Sequence, residues 1–452
     1  MYKLTRLIFI SFILCHFSQA DEILTLEKCI EIGLSNNHSI KLIEKKLSEA
    51  KAKKQEAFGN YLPNLTYSYT YTRMSEAPSI KMASPSFTPV MVKDLLTDTN
   101  IMGALITGYQ QYDIKMGQEN NYTSKITLTQ PLFTWGKIYQ INKQAKLNYE
   151  LVEYEYKKTK NEVIFNIKQA VYSVLLAQKF NEIANEAVKV MERHYEVIQS
   201  FYKEGKVSNV DVSRVEVQLV NAKTNKIKSD NSLKLSKKYL FNLINLTESN
   251  DYQIQGTLEY TPLNLNLDEL FKIAIENRVE IKQIELQKTI ANSFLSLTKS
   301  ELRPDLSFIY NYQYQKPYYF EDEWKSNWNA ILLLNFPLFT GLKNLSKSNQ
   351  IKSQIEQIDI TKDQLEKMIK LEVEKAYLNL IESKDRIEAQ QTNVKLAKEN
   401  LDSIQKRYEK GLVSDLDLRD TQLALTQAET EYFQALYDYN LALANLEKAI
   451  GK

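Results

Sequence analysis

The sequence predicts a mainly α-helical chain with a transmembrane β-barrel part, built from long coiled-coil helices and four β-strands. Three observations support this fold class. Gly (11) and Pro (9) are scarce among the 452 residues, which favours long uninterrupted elements. The region from about Lys343 to Lys410 has helical periodicity and contains no Pro or Gly. The chain also repeats one pattern of elements twice, which indicates a duplicated unit.

The first twenty residues are predicted to be a secretory signal, with a buried N-terminal helix as the alternative. Two basic residues precede an apolar run from Leu7 to Phe17, which is too short to span a bilayer as a helix. Removing the signal lowers the basic count from 58 to 56, equal to the 56 acidic residues. This neutral balance does not suggest a nucleic-acid partner. Only Cys29 remains, so no intrachain disulfide is expected.

Two constant registers relate the halves of the chain. Leu26 and Leu267 begin similar helical segments 241 positions apart. Pro131 and Pro337 begin Pro-Leu-Phe-Thr segments 206 positions apart. The sequence therefore divides into a signal at 1–20, a first repeat at 21–245, a linker at 246–266 and a second repeat at 267–452.

The two registers differ because the first repeat contains an insertion. It lies between about Thr72 and Tyr122 and holds three prolines without a clear hydrophobic period. Pro clusters without periodicity are typical of loops. We therefore expect a long loop at about 75–121, on the side of the strands opposite to the helices.

Each repeat is predicted to contain a helix, a β-hairpin, a very long helix and a returning helix. The hairpins are predicted at 64–133 and 305–339. Their strands alternate apolar or aromatic residues with polar ones, which is typical of strands between lipid and water. A soluble, half-buried sheet would show the same alternation. Because small barrels need about eight strands, four strands require several chains to close one.

The long helices form the predicted coiled coil. A helix from Lys343 to Lys410 would measure roughly 100 Å at ~1.5 Å per residue. In the returning helix, apolar and Tyr residues recur at alternating steps of three and four, which indicates a coiled-coil seam. The helices alone do not distinguish a channel from an ordinary coiled coil without a pore.

The same turn pattern joins the two long helices in each repeat. It is Tyr-x-x-Gly-x-x-Ser-x-x-Asp, with Tyr202, Gly205, Ser208 and Asp211 in the first repeat and Tyr408, Gly411, Ser414 and Asp417 in the second. Gly favours the left-handed conformation that ends a helix. Ser followed three residues later by Asp predicts an N-cap of the next helix. Capping by itself would account for these residues without any further role.

The doubled pattern, with its two turns and two Pro-Leu-Phe segments, resembles the TolC-like outer membrane efflux protein family from about Leu24 to the C-terminus. The resemblance implies a homotrimer with a twelve-stranded barrel in outer-membrane lipid and a helical tunnel across the periplasm. It also implies a periplasmic adaptor, also called a membrane fusion protein, and an inner-membrane pump of the RND or ABC type. No cofactor or metal is implied.

The resemblance also implies roles for particular residues. Asp417 and Asp420 would form an acidic periplasmic gate, while Asp211 and Tyr408 would latch the closed mouth. An Arg common in that latch is replaced here by Val413. The remaining implied sites are the adaptor-contacting turns (Gly205, Ser208, Gly411 and Ser414) and the barrel–helix junctions (Pro63, Pro131, Pro304 and Pro337).

The function predicted from these features is a passive exit duct in the outer membrane, and not an enzyme. The sequence lacks a phosphate-binding Gly-x-x-x-x-Gly-Lys loop and a nucleophile motif, and its three histidines are scattered. The alternative is a periplasmic or surface coiled-coil protein with a structural role and no pore. Drug efflux and type I protein secretion both remain open, because specificity would reside in the pump.

Overall fold

The computed structural model describes residues 22–94, 98–247, 252–262, 265–319 and 321–452, so the predicted signal at 1–20 lies outside the described residues. The strands are β1 (Glu22–Leu24), β2 (Asn64–Arg73), β3 (Ser79–Lys93), β4 (Asn100–Lys115), β5 (Asn120–Phe133), β6 (Tyr252–Ile254), β7 (Asp305–Lys316) and β8 (Lys325–Asn335). The helices are α1 (Leu26–Asn36), α2 (His38–Gly59), α3 (Lys137–Lys203), α4 (Asn209–Leu243), α5 (Leu267–Asn277), α6 (Val279–Ser300), α7 (Lys343–Tyr408) and α8 (Asp415–Ala449). None of the helices in the described ranges is both long and apolar enough to cross a membrane.

The chain divides into two units. The helical unit comprises the chain up to Lys51, Leu147–Thr289 and Glu356–Lys452. The strand-bearing unit comprises Ala52–Lys146 and Ile290–Ile355.

The main sheet of the strand-bearing unit contains the four predicted strands in the order β2-β5-β7-β8. All neighbouring pairs are antiparallel. The outer edges of β2 and β8 have no partner strand within the described chain. An open edge of this kind exposes unpaired backbone N–H and C=O groups, which require pairing in a non-aqueous surrounding.

The strand register separates the two faces of this sheet. On one face, Leu65 is opposite Leu128, and Tyr312 is opposite both Ile126 and Trp328. On the other face, Thr127 donates to Asn311 at 2.8 Å, and Asn311 donates to Asn329 at 2.8 Å. The apolar face is exposed in the single chain, with Leu65, Tyr67 and Trp328 66–67% exposed.

Three of the four predicted junction prolines lie between a helix and a strand. Pro63 and Pro304 directly precede β2 and β7, and Pro337 follows β8. Pro131 lies inside β5, near the end of that strand, so its junction role stays a prediction. It coincides with an irregularity in the β5–β7 register, where a residue without an N–H group is tolerated.

The predicted loop at 75–121 was also wrong, because most of it forms an antiparallel β-ribbon. We call β3 and β4 the ribbon; they pair from Ser79 opposite Lys115 to Lys93 opposite Asn100. Pro85 and Pro89 lie within β3, which has a single partner strand. Because the other row of N–H groups in β3 has no partner, proline does not interrupt the pairing.

The first helix of each repeat is two helices rather than the single one predicted. Asn37 separates α1 from α2, and Arg278 separates α5 from α6; both have an extended ψ, at 136° and 123°. The Asn37 side chain accepts a hydrogen bond from Ser39 N at 2.7 Å, which starts the next helix. Ser, Asn and Asp side chains commonly compete with helical hydrogen bonding in this way.

The long helices form two antiparallel hairpins in the helical unit. Lys223 of α4 pairs with Glu192 of α3 at 3.0 Å, and Lys398 of α7 pairs with Glu429 of α8 at 3.0 Å. The hairpins contact each other through α3 and α8, where Ser173 and Tyr437 share a hydrogen bond of 3.3 Å. With 67 and 66 residues, α3 and α7 have the length predicted from the sequence.

Candidate functional site

The candidate site is the groove between the turns that connect the long helices. We define the first turn as residues 204–208, between α3 and α4, and the second turn as 409–414, between α7 and α8. Residues of both turns and of all four helix ends line this groove. Every one of these segments belongs to the helical unit.

Both turns end a helix through the predicted left-handed glycine. Gly205 has φ +75° and Gly411 has φ +70°. Lys206 N donates to Phe201 O at 2.9 Å, and Leu412 N donates to Arg407 O at 3.0 Å. These bonds satisfy carbonyls that the helix would otherwise leave without donors.

Both turns start the next helix through the predicted capping box. Ser208 Oγ donates to Asp211 Oδ2 at 2.7 Å, and Ser414 Oγ donates to Asp417 Oδ2 at 2.6 Å. The return bonds run from Asp211 N to Ser208 Oγ and from Asp417 N to Ser414 Oγ, each at 3.3 Å. The hydrogen bonds from Ser208 and Ser414 hold the pKa of Asp211 and Asp417 below the ordinary value.

The predicted gate residues, Asp417 and Asp420, have different surroundings. Asp417 is committed to the capping box, whereas Asp420 is exposed and accepts a hydrogen bond from Arg419 Nη2 at 3.1 Å. The equivalent of Asp420 in the first repeat is Arg214, which donates to Asp211 at 3.3 Å. The excess of carboxylates at the second turn is therefore a property of the second repeat alone.

The predicted latch residues, Asp211 and Tyr408, line the same groove. Within the described chain they are not hydrogen-bonded to each other: Asp211 accepts from Ser208 and Arg214. Tyr408 lies next to Asp415 instead. Burial raises the pKa of the Tyr408 hydroxyl, and the Asp415 carboxylate adds to this rise.

Sequence reasoning missed the histidine–carboxylate contact that crosses the groove. Nε2 of His194, in α3, lies 2.6 Å from Oδ1 of Asp415, the first residue of α8. The side chains are 12% and 36% exposed. No local signal identifies this pair, because its two residues are far apart in the sequence.

The second turn and the starts of α4 and α8 expose aliphatic side chains. Val210 is 65% exposed, Leu412 is 64% exposed and Leu416 is 52% exposed. Exposed aliphatic residues next to charged ones are typical of surfaces that bind another protein.

Among the described residues, no group of three or more His, Cys, Asp or Glu side chains has the arrangement of a metal site.

The chain is similar to known proteins in sequence and in fold. The chain is 22% identical over 351 residues to the alkaline protease secretion protein AprF of Pseudomonas aeruginosa, covering 74% of this chain and 70% of AprF. The solved structure of CusC matches with a TM-score of 0.73 at 16% identity, over 94% of this chain and 92% of that one. The Campylobacter jejuni CmeC outer membrane channel matches with a TM-score of 0.72 at 17% identity, over 94% and 85%. These structural likenesses show a shared fold.

The family match spans both repeats. Residues 30–246 and 270–452 match the outer membrane efflux protein family, and these ranges contain both turns, all four main-sheet strands and the long helices. The chain therefore belongs to the outer membrane efflux protein family.

Proposed function

We propose that three copies of this outer membrane protein form a passive exit duct, which a periplasmic adaptor and an inner-membrane pump open for efflux or type I secretion. The observation that carries the proposal is the main sheet. It has an apolar face, a hydrogen-bonded polar face and two edges without partner strands among the described residues. Closing the edges against neighbouring copies satisfies the backbone groups and encloses a polar lumen.

The two hairpins support the same ring of subunits. Within one chain, α8 packs against α3, and Lys448 Nζ of α8 lies 4.7 Å from the centre of the Phe165 ring. Phe165 and Tyr172 of α3 are both half-buried. The equivalent residues of α7 are Leu371 and Leu378, which are 67% and 57% exposed. Because the repeats are equivalent, α4 of a neighbouring copy is the element suited to cover them.

Helix α4 also exposes apolar residues whose counterparts in the other repeat are covered. Ile227 is 60% exposed and Leu235 is 70% exposed, whereas their counterparts in α8, Phe433 and Leu441, are half-buried. A contact between α7 of one copy and α4 of the next buries both apolar sets. Three copies would complete such a ring in the proposed homotrimer.

The gate proposal rests on Asp417 and Asp420 at the second turn. Three copies would place six carboxylates around the mouth. Their negative charges would repel anions and attract cations. Arg419 offsets part of the Asp420 charge. Asp211 and Tyr408, which both line the groove, remain the proposed latch.

The test of the gate is single-channel conductance in planar bilayers. Asp417 closes the capping box, so its replacement by Ala would also weaken the start of α8. We therefore choose Asp417→Asn with Asp420→Asn, which keeps side chains that accept hydrogen bonds. We expect conductance to rise and block by multivalent cations to weaken about tenfold, since each lost charge removes an electrostatic attraction.

The matched control is Asp363→Asn, which removes an exposed carboxylate of α7 paired with Lys367, far along the helix from the turns. The control should conduct like the unchanged protein. Equal conductance and block in the gate variant would refute the acidic gate. A protein that forms no pores and fractionates as soluble would refute the exit duct and favour a structural coiled coil.

A further inference from the structure

The His194–Asp415 pair connects the two hairpins of one chain at the groove. His194 lies near the end of α3, and Asp415 is the first residue of α8. Any movement that separates these helix ends must break their contact. The His194 ring also lies 6.5 Å from the Tyr408 ring at the end of α7, so three helix ends meet at this point.

A proton on the facing imidazole nitrogen would suit this contact. Oδ1 of Asp415 is buried and accepts no hydrogen bond within the described chain, and His194 Nε2 lies 2.6 Å away. A buried carboxylate oxygen without a donor is costly, so a cationic imidazole beside it offsets that cost. The N-terminal end of α8 favours the negative charge on Asp415. Protonation of the imidazole then makes this contact an ion pair.

The arginines of the groove have their own partners. The titratable and charged residues that line it beside this pair are Arg193 of α3, Asp211 and Arg214 of α4, Tyr408 of α7, Glu409 after α7, and Arg419 of α8. Arg214 pairs with Asp211 at 3.3 Å, Arg419 with Asp420 at 3.1 Å, and Arg193 lies 3.7 Å from Glu186. His194 is therefore the cation available to Asp415.

The second repeat lacks this pair at the equivalent positions. His194 corresponds to Asn400 in α7, and Asp415 corresponds to Asn209 in α4, each 206 positions away. In the proposed ring, α7 and α4 meet between neighbouring copies. The contact within a copy therefore responds to protons, whereas the contact between copies has two amides that do not titrate.

We propose that His194 and Asp415 form a proton-dependent clamp across the groove of each copy, which holds the mouth closed more firmly as the pH falls. The proposal rests on the proposed duct and concerns how opening of its mouth is regulated. A protonated imidazole makes the clamp an ion pair, whereas a neutral imidazole contributes no charge to it.

The test compares channel opening at about pH 8 and about pH 5.5, a range in which imidazole is the side chain that ordinarily changes charge. We expect the unchanged protein to open about fivefold less at the lower pH, the size typical of a partly exposed ion pair. His194→Asn, which copies the residue of the second repeat, should open equally at both pH values. His194→Gln keeps a donor near the same place and should also lose the pH response.

Two controls separate the clamp from a folding defect. His38→Asn makes the same change at an exposed histidine at the start of α2 and should keep the pH response. The double variant His194→Asn with Asp415→Asn should behave like His194→Asn alone, because both act on one contact. All variants must run as heat-modifiable trimers.

The outcomes distinguish the clamp from the duct on which it rests. Pores from the unchanged protein with the same pH response in His194→Asn would overturn the clamp and leave the duct intact. Loss of the response in His38→Asn would also overturn it. Absence of pores from the unchanged protein would overturn the duct and the clamp together.

Discussion

At the scale of single residues, equivalent positions of the two repeats can fill the same structural role with different side chains. Asn37 Nδ2 donates to Leu243 O at 2.7 Å, at the end of α4. Its counterpart, Arg278, donates from Nη1 to Ala449 O at 3.3 Å, at the end of α8. Each side chain supplies a donor to a helix end whose carbonyls have no donors within the helix. Arg278 additionally pairs with Glu372.

The capping boxes predict a pH dependence at the turns. The pKa of Asp417 is lowered by its hydrogen bonds from Ser414, so the folded turn favours the carboxylate. This stabilisation is present above the ordinary Asp pKa of about 3.9 and is lost as the pH falls through the lower folded value. We expect amide hydrogen exchange in the first turn of α8, corrected for its intrinsic rate, to increase below about pH 4.

The control for this prediction is α5, which is capped by the Asn266 amide rather than by a capping box. Exchange at its first turn should change less over the same range. Asp417→Asn should reduce the response at α8. A response of α8 that is identical in this variant would contradict the assignment of the pH dependence to Asp417.

At the scale of elements, the ribbon is the main difference between the repeats. The second repeat connects β7 to β8 by a short segment, whereas the first extends its hairpin by β3 and β4. The ribbon exposes apolar residues, with Met91 70% exposed and Met102 79% exposed. Since the helices attach at the opposite ends of the main-sheet strands, the ribbon is expected on the cell exterior.

This orientation predicts cleavage of the ribbon in intact cells. Lys93 ends β3 and has a side chain that is 64% exposed, so trypsin added outside should cut after it. Lys206 in the first turn is equally exposed, at 64%, but should be protected until the outer membrane is opened. Immunoblotting of the fragments distinguishes the two sites. Protection of Lys93 with cleavage at Lys206 would reverse the orientation.

At the scale of the whole molecule, two similar repeats produce contacts of two kinds. The contact of α3 with α8 forms within the chain, while α4 and α7 retain exposed apolar residues. The proposed ring would bury both sets of residues, because each α7 would then meet an α4 of another copy. The same proposed ring would separate the polar and apolar faces of the main sheet.

The ring predicts that a charge on the exposed stripe of α7 prevents assembly. Leu371→Glu places an unpaired carboxylate in the proposed contact, which should convert the heat-modifiable trimer to monomer on gels. Lys370→Glu changes a neighbouring exposed residue of α7 by two charge units and should leave the trimer intact. Normal trimers from Leu371→Glu would show that α7 and α4 do not meet between copies.

The sequence by itself determined the features that depend on neighbouring residues. These are the long helices, the alternating strand faces, the glycine turns and the Ser–Asp caps, whose hydrogen bonds connect residues at most five positions apart. Only the tertiary structure decided which distant elements meet. It paired β3 with β4, directed Arg278 to the end of α8 and brought His194 to Asp415. The reason is physical: periodicity shows which face of a helix or strand is apolar, whereas the partner of a particular polar side chain depends on how distant elements pack.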